Sequence, residues 1–225
     1  MSEDRFINFL MNEAGYDEEE ATALFVGISR AIVRSVIIER KVDIRGMEQA
    51  EGLRAIAQKL RELVKEGLEF GIVADHRSDL LNEARRASTE EKYITALIIY
   101  ATWTEHWINR IIKLIAAQRG MDYSLSKSVM REVSFRGKIT WLIQLLELPK
   151  LNDDIIKSLT VLHDQRNSYV HYKWREMDLE KGGDDFNNLK NMINNFEATV
   201  ENMHTYEEDI FMNDHSDWVR ELLRS

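Results

Sequence analysis

The chain has 225 residues, 44% hydrophobic and 31% charged, enough apolar side chain for a full core and too much for a chain disordered throughout. It contains no cysteine, which removes disulfides, thiolate metal sites and cysteine nucleophiles. A formal charge of -9 argues against a non-specific polyanion binder.

The charge is unevenly placed. Residues 126–175 hold nine Lys or Arg against five Asp or Glu, whereas residues 176–225 hold four against thirteen. A local basic surface on an acidic protein is compatible with this pattern, and so are two ordinary solvated helix faces.

Apolar residues recur at spacings of three and four, and Pro149 is the one proline, so the chain reads as helical throughout. Residues 2–13 form a first helix ended by Gly15. Asp17 and Glu20 have the spacing of a capping box and open a second helix to about Lys41. Residues 46–70 form a third, with Leu53, Ile56, Ala57, Leu60 and Val64 as its apolar stripe. A short helix passes through Leu80 and Leu81. Ser88 and Thr89 then cap a long central helix over about 90–119, with Ile94, Leu97, Ile98, Ala101 and Ile108 inward and Gly120 as its stop.

Two shorter pieces, 124–133 and 134–148, lead to Pro149. Asn152 and Asp153 cap a helix carrying Ile155, Leu159 and Leu162 to about Trp174. Gly182 and Gly183 mark a turn before a last long helix, 184–212, and a short terminal one. The expected architecture is all-α: a helical extension over residues 1–88, then a helical bundle over 89–225 with acidic C-terminal helices. The acidic opening lacks the order of a signal peptide, and the apolar run 94–103 is too short to span a bilayer, so a cytoplasmic protein without a membrane segment is expected.

One helix carries residues that its packing does not ask for. Eleven residues at roughly 100° each return Arg166 to within roughly 20° of Ile155, so a guanidinium occupies an apolar phase. Asn167 and His171, four apart, share a face, with His163 one turn earlier. Arginine, amide and imidazole together suit a phosphodiester: charge compensation, positioning and proton transfer. The plain alternative is an Arg166 ion-paired to Glu105 or Asp164 and a structural histidine.

Arg166-Asn167-x3-His171, late in a helix and followed by Tyr172 and Trp174, resembles the R-x4-6-H signature of the HEPN superfamily. The frame agrees: a long helix, a helical pair containing Phe135, Lys138 and Leu142, the motif helix and a final long helix. The likeness covers about residues 89–212 and is sharpest over 135–174; residues 1–88 carry none of it. The resemblance implies a homodimer with facing motifs and a metal-independent endoribonuclease without a cofactor. Such enzymes act as toxins or phage-defence effectors on RNA, under an antitoxin or regulatory protein.

Carried over, Arg166 holds the phosphate, His171 exchanges the proton and Asn167 orients the groups. Glu105, His163, Tyr172 and Lys173 are the supporting or substrate-binding candidates. Lys173 stands where members modified by a nucleotidyltransferase partner carry tyrosine, which sets that mode of control aside. The alternative within the same resemblance is a catalytically silent module that dimerises and binds a partner or nucleotide. His163-Asp164 is the dipeptide of HD-type phosphohydrolases but lacks their upstream ligand pattern. Glu207, Glu208, Asp209, Asp214 and His215 form an acidic group that reads as a solvated face or a cation site.

Overall fold

A computed structural model describes residues 3–66, 76–170 and 182–224, and every regular element among them is a helix. The expected all-α class holds. The helices are α1 (Glu3–Glu13), α2 (Glu18–Ile38), α3 (Gln49–Lys65), α4 (Arg77–Thr89), α5 (Tyr93–Gln118), α6 (Tyr123–Glu132), α7 (Phe135–Gly137), a π-helical turn (Lys138–Leu142), α8 (Ile143–Leu145), α9 (Asp153–Val170), α10 (Gly182–Met212) and α11 (Asp217–Arg224).

The chain divides into two compact units, Met1–Ile72 with Asp214–Ser225, and Val73–Asn213. The first therefore gathers both ends of the chain. α4, expected at the end of an N-terminal extension, instead packs along α5 within the second unit.

In the first unit the Asp17–Glu20 capping box is complete: Asp17 Oδ1 accepts the Glu20 amide at 2.8 Å, and Glu20 Oε2 accepts the Asp17 amide at 3.1 Å. The stripe expected for α3 is displaced. Leu53 and Val64 are 44% and 68% exposed, while Gly52, Ile56 and Leu63 are buried. The reason is the Trp218 indole of α11, which lies where a side chain on Gly52 would stand; its Nε1–H donates to the Met47 carbonyl at 3.1 Å. A contact from the far end of the chain thus sets which face of α3 turns inward.

The second unit is built around α5. Tyr93, Leu97, Tyr100, Trp103, Trp107, Ile108 and Ile111 are all buried, whereas Ile94 and Ile98, expected inward, are exposed. Ser88 and Thr89 do not cap this helix. They end α4, with the Thr89 hydroxyl donating to the Arg85 carbonyl at 3.0 Å, and the chain turns into α5 through Glu91 in a left-handed conformation. Gly120 stops α5 as expected. At φ 68° it supports bonds from Gly120 N to the Ala117 carbonyl and from Met121 N to the Ala116 carbonyl.

α10 runs parallel to α5, shown by the ring pairs Tyr93–Phe186, Tyr100–Phe196 and Trp107–Tyr206. Gly182 and Gly183, expected as a turn, are its first residues. α9 runs the other way. The chain passes Arg119, which donates to the Leu146 carbonyl, and returns along α5 so that His163 meets Thr104.

Candidate functional site

The face shared by α5 and α9 carries a polar cluster inside an apolar frame. Thr104 is fully buried, and its hydroxyl proton is committed to the Ala101 carbonyl at 2.8 Å. In the 2.9 Å contact between Thr104 Oγ1 and His163 Nε2, the imidazole must therefore be the donor. That fixes the tautomer. Nδ1 keeps its lone pair and stands 3.8 Å from Glu105 Oε1.

The His163 ring is 6% exposed and lies flat on Phe135, with centroids 3.4 Å apart. Burial first, and the Arg166 charge second, push its pKa down to about 4. The imidazole is neutral at pH 7, so its contact with Glu105 becomes an ion pair only after acid loads Nδ1. Lys138, at the start of the π-helical turn, is also buried; burial lowers its pKa and Glu105 opposes that shift. The turn buries Lys138 together with the apolar Ile139 and Leu142.

Arg166 follows one turn after His163, half-buried, and donates from a guanidinium nitrogen to Asn167 Oδ1 at 3.1 Å. Among the described residues it forms no ion pair with Glu105 or Asp164. Asn167 is exposed. The face expected to carry His163 and Asn167 together thus begins in the core and climbs to the surface within one turn. His171, Tyr172 and Lys173 lie outside the described residues.

Of the expected residues, the structure brings together Glu105 and His163, with the Arg166 charge felt at the imidazole and Asn167 bonded to Arg166. Thr104, Phe135 and Lys138 complete the cluster and were not singled out for a site role by sequence. A lysine at an apolar phase of the 135–142 segment was the legible signal for Lys138. No sequence signal points to the Thr104 contact, which depends on the pairing of α5 with α9.

The face of α5 toward α4 and α10 is chemically different. Glu207 is not a solvated acid: its side chain is 16% exposed and pairs with Arg77 and Arg110. Glu197 accepts from Arg85 at 2.8 Å and from the Tyr100 hydroxyl at 2.5 Å. Burial raises the Glu197 pKa, but the Arg85 and Tyr100 hydrogen bonds outweigh it and hold the carboxyl below its ordinary range. In the first unit, Asp214 pairs with Arg40. Among the described residues, no three His, Asp or Glu side chains converge as a metal site requires. Set against protein-family models, curated proteins and solved structures, the chain matches none of them.

Proposed function

We propose that the chain is a HEPN-type, metal-independent endoribonuclease acting as a cytoplasmic homodimer, in the manner of a toxin or phage-defence effector held by an antitoxin or regulatory protein. One observation carries the reading. In the α5–α9 cluster Lys138 lies near Glu105, Glu105 lies near the neutral His163 imidazole and Arg166 lies near that imidazole, two cations to one carboxylate. Positive charge in excess at a partly buried site is suited to a phosphate.

Cleavage then uses the substrate's own nucleophile. The 2′-hydroxyl loses its proton, its oxygen bonds to phosphorus and the 5′-oxygen leaves with a proton, giving a 2′,3′-cyclic phosphate and a 5′-hydroxyl. Arg166 offsets the charge that grows on the phosphoryl oxygens, and Asn167, bonded to it, fixes the guanidinium plane. His171 exchanges the proton. One motif offers a single such group, and two facing chains supply the base and the acid.

The silent-module reading has its own support. His163 is packed under Phe135 and bonded to Thr104 as a structural histidine would be. Incubation with RNA in excess chelator separates the two. Cleavage is expected to persist, to leave cyclic phosphate ends, and to fail on RNA bearing a 2′-deoxy sugar at the cut site. Loss of cleavage on chelation, or equal cutting of the deoxy substrate, contradicts the proposed chemistry.

A further inference from the structure

The first unit presents a helix whose composition and surroundings disagree. α2 is the one described helix long and apolar enough to cross a membrane, yet only 22% of its most apolar stretch is buried. α1 packs against it, and Ala21 and Val36–Ile38 are buried, but Leu24 and Val26 remain 37% exposed. Among the described residues a Cβ on Gly27 would meet nothing within 4 Å, so none of them explains a glycine in mid-helix.

The charges on this face have an order. Glu20, Gly27 and Arg34 are seven apart, so each step turns by roughly 20° and all three fall on a strip roughly 40° wide, and all three are exposed. Ala23 and Leu24 precede Gly27 beside that line, and Arg30 and Ala31 follow it, all exposed. A two-fold axis through Gly27 sets Glu20 against the partner's Arg34, Leu24 against the stem of the partner's Arg30, and Ala23 against the partner's Ala31. Gly27 meets its own copy at the crossing. Glu20 uses Oε2 for its capping box, which leaves Oε1 for the partner's guanidinium.

From this self-complementarity we infer that α2 is a homotypic interface, pairing antiparallel with α2 of a second copy about a two-fold axis at Gly27. Oppositely charged ends facing across the axis fix the direction, because a parallel pair would set Glu20 on Glu20 and Arg34 on Arg34. A lipid surface fits less well, since Glu20, Arg30 and Arg34 lie between the exposed Leu24 and Val26 rather than opposite them. The pairing does not depend on the reading of α9. It is a second surface of association, and a single helix pair is a small one, so assembly should depend on concentration in the micromolar range.

Because the chain has no cysteine, single-cysteine variants report this geometry directly. Under mild oxidation Gly27→Cys should form covalent dimers at least about ten-fold faster than Glu20→Cys or Arg34→Cys alone, and an equimolar mixture of those two should cross-link with each other. Equal rates at all three positions, or a Gly27→Cys rate no higher than that of Ser128→Cys, overturn the proposal. Sedimentation equilibrium provides the second measurement. Arg34→Glu should weaken self-association at least about ten-fold with circular dichroism unchanged, and adding Glu20→Arg should restore it even though the Glu20 half of the capping box is lost. A failure of the double substitution to restore association, or flotation of the parent protein with phosphatidylcholine vesicles that shield the Gly27→Cys thiol from a water-soluble maleimide, equally overturns it.

Discussion

Two neighbouring faces of α5 handle partly buried charge in opposite ways. Toward α4 and α10, Arg77 and Arg110 share Glu207, and Arg85 and Tyr100 share Glu197, so cations meet carboxylates at the same depth. Toward α9, Lys138 lies near Glu105, and Arg166 lies near an uncharged His163. The first arrangement is complete within the chain and reads as architecture. The second keeps positive charge in excess, and holding it near a low-dielectric interior costs stability unless an anion arrives. On the proposed function, that imbalance marks the α9 face as the site.

The contrast can be broken most forcefully at Glu207. Replacing it with Ala leaves Arg77 and Arg110 facing each other without their shared acid, and should cost about 3 kcal/mol or more in a urea denaturation measurement. A loss of less than about 1 kcal/mol would show that this side is not the paired network described.

The His163 prediction is a pH effect with a definite sign. In the unfolded chain the imidazole takes a proton near its ordinary value of 6.5, and in the folded protein only near 4. Protons therefore favour the unfolded state between those values. The contribution is fully present above pH 6.5 and is lost as pH falls toward 4, by up to about 3 kcal/mol. His163→Gln should flatten that part of the stability curve relative to the parent. An unchanged slope would mean that the folded protein protonates His163 near its ordinary value of 6.5.

The smallest stability effect belongs to Arg166. Its described hydrogen bond is to exposed Asn167, and so Arg166→Ala should change stability by no more than about 1 kcal/mol. Unfolding of this variant would favour the ion-paired structural reading instead.

Much of the fold was legible because its signals are local. The Asp17–Glu20 box, the stop at Gly120 and the burial of Ile155, Leu159 and Leu162 follow from residues a few positions apart. The errors fall where a distant partner decides. Trp218 turns α3 over at Gly52, and α4 continues through Ser88 and Thr89, so those residues end one helix rather than cap the next. At the site, periodicity singled out Arg166, and its neighbourhood of Glu105 and His163 was expected. The tautomer of His163 could not be read, since it hangs on where the Thr104 hydroxyl sends its proton.

Activity and stability of Arg166→Ala, measured on the same preparation, test the central claim most directly. The account predicts that RNA cleavage in excess chelator disappears while the denaturation midpoint stays close to that of the parent. Cleavage at the parental rate in a folded Arg166→Ala protein would contradict it.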